Sequence, residues 1–318
     1  MPENSERAEH ELSLHLALGR SWMATKGYAA PEVEHAYARA RELCHHMGET
    51  PRLLQVLMGL MTFYFGRAAL QTAWELGERC LLLAQHASDT ARLQQVHLTL
   101  GTTLFHLGAL TQAREHLHQG IALYIPQQSR TRAVQDPGVA CHAYAAWVLW
   151  ILGYPDQARQ QSQVALTLAQ QLAHPLSQVY ALLLAATLHQ HLRDTHAIGE
   201  HTEAGIAFST EQEFQFWKAL GTVLRGWLLA QQGQRDEGLE QIRQGIKAWR
   251  ATGAEMLWPY LLGLYAEVHG NVGHVDTGLR LLDEALTVGI RVRRDNGASV
   301  RYAEGLNSSK SSVILSEH

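Results

Sequence analysis

Small residues at fixed intervals constrain this chain more than any other feature. In GWLLAQQGQRDEGLEQIRQGIKA, residues 226–248, they stand at Gly226, Gly233, Gly238 and Gly245, with steps of 7, 5 and 7. Seven residues are two helical turns, so each outer pair lies on one face of its own helix, where a partner helix can come close. Gln232-Gly233-Gln234 reads as the turn between them, and a turn this short makes the helices antiparallel neighbours. The same ruler fits Gly101, Gly108, Ala113 and Gly120, and again Ala266, Gly273, Gly278 and Ala285. Ala145, Gly153, Ala158 and Ala165 follow it with a first step of 8. Recurrence at separate points marks a repeat architecture. Taking the last small position of each unit as Gly120, Ala165, Ala204, Gly245 and Ala285, the successive differences are 45, 39, 41 and 40. The expected fold is an all-α, right-handed superhelix of about seven antiparallel helix pairs with a period near 40 residues.

A solenoid grows by stacking, so 318 residues need not divide into two globular domains. Hydrophobic residues at 46% supply a continuous core, with charged residues at a low 18%. A net charge of −4 gives no basic surplus for nucleic acid and no polybasic run for an anionic membrane. The first residues, MPENSERAEHE, are too polar for a signal peptide, and no apolar run approaches the roughly 18 residues of a membrane span. Cys44, Cys80 and Cys141 are isolated and odd in number, which suits a reducing cytoplasm.

Taken in order, residues 1–10 read as a flexible lead-in, 11–289 as the helical repeat domain, and 290–318 as an irregular or disordered tail. The expected pairs are 11–25 with 31–47, 51–66 with 70–86, 90–107 with 110–124, 138–152 with 156–173, 176–192 with 195–208, 211–232 with 235–252, and 255–271 with 275–288. Prolines at 31 and 51 suit first-turn positions, where a missing N–H costs nothing. Residues 126–137, PQQSRTRAVQDP, interrupt the rhythm and absorb the long difference of 45. They read as a bulging loop or as a contact loop for a ligand or partner. An incomplete last repeat would leave an apolar face open to self-association.

Two stretches carry a family likeness: GVACHAYAAWVLWILGYPDQARQQSQVALTLAQQLAHPLSQVYALLLAATLHQ (138–190) and RGWLLAQQGQRDEGLEQIRQGIKAWRATGAEMLWPYLLGLYAEVHGNVG (225–273). They resemble the tetratricopeptide (TPR) region of bacterial multidomain signalling proteins that carry an adenylate or guanylate cyclase or a kinase followed by an AAA-type ATPase. The similarity runs from about Leu12 to Leu286, with a unit longer than the usual 34 residues. The resemblance implies a TPR-like superhelix used for sensing or protein contact. The attached enzymes are missing: there is no G-x-x-x-x-G-K-[ST] phosphate loop and no cyclase-like pair of metal-binding aspartates. The tail also departs from the family, in which a further helical repeat would be expected.

Catalytic signals are thin. Nineteen histidines include His116/His118 and His189/His191, but helical residues two apart diverge by roughly 200° and do not share a metal easily. There is no H-E-x-x-H, no Cys/His quartet and no G-x-S-x-G. Cys141 and His142 are adjacent on a helix and so do not face each other. No metal and no cofactor is expected. In tetratricopeptide arrays the first helix of each pair lines the concave surface. The groove candidates are therefore Tyr64, His97, His142, Trp147, Tyr180, His189, Phe214, Trp217, Arg225, Trp258 and Tyr260, with Tyr144, Trp227, Tyr265 and His106 beside them. Phe214–Trp217 and Trp258–Tyr260, at similar points of successive first helices, form the expected lining patch. The functional expectation is a non-catalytic sensor or scaffold that binds a peptide, protein or small ligand in the groove, possessing no nucleic-acid or membrane role. The alternative is a hydrolase-like enzyme whose His142, His189 and neighbouring acids converge there.

Overall fold

The computed structural model describes residues 2–47, 52–125 and 134–296. These hold fourteen helices and, among the described residues, no strand: α1 (Pro2–Thr25), α2 (Pro31–His46), α3 (Leu53–Gly66), α4 (Leu70–His86), α5 (Thr90–His106), α6 (Leu110–Ala122), α7 (Pro137–Ile151), α8 (Pro155–Leu172), α9 (Pro175–His191), α10 (Thr195–Glu211), α11 (Gln215–Gln231), α12 (Arg235–Ala251), α13 (Trp258–Asn271) and α14 (Val275–Asn296). They pair as the seven expected hairpins. Each odd helix packs on the next odd helix, from α1 through α13, and each even helix covers the seam to the following hairpin. This translational stacking makes the chain a TPR-like α-solenoid. Odd helices form the inner layer and are apolar nearly all round. In α7 the buried run from Pro137 to Leu149 is interrupted only at His142, whereas α8 buries a single stripe of Ala158, Ser162, Ala165 and Ala169.

The small residues do what their spacing implies. A Cβ built on Gly238 would stand 2.6 Å from the Gly226 carbonyl oxygen, and one on Gly226 would stand 2.7 Å from that of Gly238. Backbone thus meets backbone between α11 and α12. One position differs from the expected ruler. In α10 the buried small residue is Gly205, whose Cβ would strike Leu183, while Ala204 is only partly covered. With Gly205 in its place the last three steps each become 40.

Helix ends are written locally. Proline occupies the first turn of α2, α7, α8 and α9, and Asp89, Asp136 and Asp194 accept from the N–H groups of Arg92, Val139 and Ala197. The turns leave through left-handed residues. Gly108, Gly153, Gly233 and Gly273 take that role in four hairpins, while Arg193 (φ 57°) takes it between α9 and α10 and Glu213 (φ 58°) between α10 and α11. Exposed Glu213 has no glycine's freedom there, so Glu213→Gly is expected to raise the unfolding free energy by ~0.5 kcal/mol, read as a higher urea midpoint.

Several boundaries depart from the sequence reading. Residues 2–10, expected as a lead-in, are helical turns of α1, and α14 continues to Asn296, past the expected limit at 289. Residues 297–318 of the expected tail lie outside the described residues, as do 126–133 of the expected loop. Helix α11 starts late because Glu213 turns the backbone into the left-handed region just before it, and α13 starts at Trp258 because Glu255 N–H is spent on the Gly66 carbonyl.

The array also closes on itself. Glu255 N–H donates to the Gly66 carbonyl at 3.0 Å, and Arg67 donates to the Gly253 carbonyl at 3.1 Å across 186 residues. Tyr28, in the α1–α2 turn, packs edge-on against Phe216 and Trp217 of α11. Helix α14 packs against α4, so part of the last repeat is covered by an early one.

Candidate ligand-binding channel

The inner layer forms a narrow, half-open channel in two adjoining lobes. The larger has a volume of about 120 Å³ and is walled by α1, α3, α5 and the start of α7. The smaller, about 60 Å³, lies toward α7, α9 and α11. Tyr28, Thr62, Leu98, Thr99 and Gln135 border both.

Helical spacing explains the lining. Leu16, Arg20 and Met23 share one face of α1; Gln55, Met58 and Thr62 share one of α3; Arg92, Gln95 and Thr99 share one of α5. The large lobe therefore mixes an apolar lining with two arginines, three glutamines and two threonines, and has no acid among its described lining residues. The small lobe is aromatic: Tyr144, Tyr180, Phe216 and Trp217 meet there. Tyr180 lies 4.9 Å from Trp217 and 6.5 Å from Tyr144. Burial pushes the hydroxyls of Tyr28 and Tyr180 well above the ordinary tyrosine range.

The candidates named from sequence fall in several different places. Tyr180 and Trp217 line the channel. Phe214, Trp147, Trp258 and Tyr260 are buried between neighbouring helices: Trp147 donates to the Leu184 carbonyl, Tyr260 donates to Gln190, and Trp258 lies under Arg250. Tyr64 is half-buried beside Phe63. His97, His142 and Arg225 face second helices instead, against His116 of α6, Gln161 of α8 and Glu203 of α10. His189 pairs with Asp194 in the α9–α10 turn at 3.3 Å.

His142 and His189 sit near opposite ends of parallel helices, roughly 13 Å apart along the axis at 1.5 Å per residue. They do not converge on one reacting atom. Cys141 faces Gly120 while His142 turns to Gln161, and burial raises the Cys141 thiol out of the reactive range. Reading residues for rings and histidines missed Arg20, Gln55, Arg92, Gln95 and Gln135. The available signal was on α5 alone, where Arg92, Gln95 and Thr99 form a polar i, i+3, i+7 stripe.

Two neutral histidines near the channel give a pH test. Burial holds His106, packed among Phe65, Phe105 and Tyr144, down to about 3. Burial, with His116 adding repulsion, holds His97 down to about 4. Both folded values lie below the unfolded value near 6.5, so the unfolded chain takes up protons first as pH falls. Their contribution is whole above about pH 6.5 and is lost on acidification toward pH 4. From pH 7 to 5, His106→Gln should flatten the fall in stability by about 1–2 kcal/mol, measured as urea midpoints.

Three solved structures share this architecture. A Rap protein complexed with competence and sporulation factor aligns over 98% of this chain and 99% of its own, with TM-score 0.57 and 13% identity. A Rap conjugation gene regulator of plasmid pLS20 in complex with the Phr* peptide aligns over 92% and 78%, with TM-score 0.70 and 13% identity. The apo form of RapI aligns over 90% and 98%, with TM-score 0.55 and 12% identity. Identities this low establish the fold alone. No protein-family model matches the chain, and no curated protein sequence is similar to it.

Proposed function

We propose that this protein is a non-catalytic receptor that takes a peptide, or an extended protein segment, into the channel along its superhelix axis. The observation that carries the reading is the channel itself: polar side chains set among apolar ones on three inner helices, with an aromatic wall on later ones. A hydrophobic surface with a few placed polar groups is what peptide recognition requires. The Rap structures of similar fold, two of them complexed with competence and sporulation factor or with the Phr* peptide, support it by analogy. The resemblance to the helical region of bacterial cyclase and kinase signalling proteins supports a regulatory role in the cytoplasm, with the output on another domain or chain. Binding would shift the packing between neighbouring repeats and bias that output.

The test is selection from a random peptide library, followed by titration of tryptophan fluorescence, since Trp217 walls the channel. Thr62→Phe fills the neck between the lobes and should weaken any selected peptide by at least about tenfold, or ~1.4 kcal/mol. A library without enrichment, or peptides indifferent to Thr62→Phe, would remove the reading.

A further inference from the structure

Helix α9 is capped by a group whose acceptor a single proton removes. The caps of α5, α7 and α10 are Asp89, Asp136 and Asp194, whose carboxylates each accept a helical N–H. At α9 the cap is His174, and its Nδ1 accepts from the Ser177 N–H at 3.3 Å. An N–H can only donate, so Nδ1 carries its lone pair and the ring is the neutral tautomer with its proton on Nε2. The Ser177 hydroxyl, 3.0 Å from the same nitrogen, therefore donates to it as well. That leaves the Ser177 oxygen to accept from the Asp136 N–H at 2.9 Å. One relay thus joins the segment before α7 to the first turn of α9. Ser177 and Asp136 are both buried, so breaking the relay strands polar groups away from water. Both ends of the relay belong to the channel. Gln135 and Pro137, on either side of Asp136, line the large lobe, and the Tyr28 hydroxyl donates to Gln135 at 3.3 Å. Tyr180 and Leu184, on the turns of α9 that follow the cap, line the small lobe.

We propose that His174 is a proton-operated latch on the channel: a proton taken up at Nδ1 uncouples α9 from residues 134–137 and weakens ligand binding. The latch stands on these hydrogen bonds alone, whereas its effect on binding rests on the receptor reading. A protonated Nδ1 presents a hydrogen, in place of a lone pair, to the Ser177 N–H and hydroxyl. The hydroxyl can rotate, but the backbone N–H cannot, so the cap of α9 is lost. The imidazolium also sets a cation against the positive end of the helix. Asp136, at the start of α7, is the charged group that faces the ring, and its attraction favours the imidazolium. Its carboxylate stays in place, accepting from the Val139 N–H and the Tyr124 hydroxyl. Burial of the ring opposes that attraction and outweighs it, so the folded His174 binds a proton less readily than an open chain does. The latch is therefore whole above about pH 6.5 and weakens as pH falls below it. A carboxylate cap has no such transition near neutrality.

The experiment measures amide hydrogen exchange on the full chain at pH 7.5 and 5.5, with each rate corrected for intrinsic exchange. Protection at Asp136 and Ser177 should fall by about three- to tenfold in acid, tenfold being the most that one proton allows over this range. Arg92 and Ala197, whose N–H groups bond to aspartate caps, should keep theirs. His174→Asn supplies a cap that does not titrate, and should keep Asp136 and Ser177 protected at both pH values. Equal protection at the two pH values in the unaltered chain overturns the latch. So does a loss that persists in His174→Asn, because another group would then be titrating. For the channel, a histidine-free peptide selected from the library should bind about three- to tenfold more weakly at pH 5.5 than at 7.5. His174→Asn should bind it equally at both. A peptide weakened alike in the two proteins overturns the coupling while leaving the receptor reading intact. A library without enrichment overturns the receptor reading and with it the effect on binding, and exchange still decides the latch.

Discussion

Gly238→Val is expected to destabilise the protein by about 4 kcal/mol, and Gly238→Ala by about 2 kcal/mol. The Cβ that either change adds would lie 2.6 Å from the Gly226 carbonyl oxygen and 2.9 Å from both the nitrogen and the Cβ of Ala230. These are mostly backbone atoms of an adjoining helix, so no rotamer can move aside. The two helices must separate, and the apolar seam that includes Ile242 and Val223 opens with them. Alanine recovers ~1 kcal/mol of helix propensity, which is why its net cost is smaller. Valine adds two further methyl groups against the same wall and lowers propensity as well. Gly289→Ala is the control: its Cβ would meet nothing within 4 Å, so the substitution should stabilise by up to ~1 kcal/mol. The measurement is the urea midpoint followed by circular dichroism. A Gly238→Ala protein as stable as Gly289→Ala would mean that α11 and α12 do not approach as described.

That contact was legible in the sequence because it is local. A hairpin's two helices are joined by a short turn, so spacing alone places Gly226 opposite Gly238. The assignment of Ala204 in place of Gly205 shows the limit. Two small residues stand side by side in α10, and only the packing of Leu183 selects the second. The candidate site was less legible for a related reason. Inner helices such as α7 and α9 are apolar nearly all round, so the periodicity that reveals an inward face on an amphipathic helix is missing. His97, His142 and Arg225 consequently turned out to face second helices, while Tyr180 and Trp217 lie in the channel. On α5 the polar residues Arg92, Gln95 and Thr99 mark the inward stripe, but only once the stacking of the helices is known. Closure of the array had no sequence signal, because Gly66 and Glu255 meet through the accumulated geometry of the intervening repeats.

Phe216→Ala tests that closure and should cost about 3–5 kcal/mol, the range for removing a fully buried phenylalanine. Phe216 is 1% exposed and lies 4.4 Å from Trp249, 5.0 Å from Trp217 and 5.4 Å from Tyr28, ring centre to ring centre. The first two partners belong to the α11–α12 hairpin and its surroundings, but Tyr28 belongs to the other end of the array. Gly27 lies against the same ring and adopts φ 103°, so the α1–α2 turn is shaped to receive it. Truncation therefore loosens a long-range joint as well as a local core. The polar part of the joint is weaker: Arg67 and Glu255 stand 3.8 Å apart and largely in solvent, so Arg67→Ala should cost under ~1 kcal/mol. Hydrogen exchange separates the two effects. If the ends are held together by the rings, Phe216→Ala will speed exchange in residues 26–30 as well as in α11, while the intervening helices, which keep their own neighbours, should stay protected. Exchange raised in α11 alone would show that the α1–α2 turn does not rest on Phe216. Because Tyr28 and Phe216 both border the small lobe, opening this joint should also widen the channel at its aromatic end. A peptide that spans both lobes would then lose affinity, which ties the architecture of the closed array to binding in its interior.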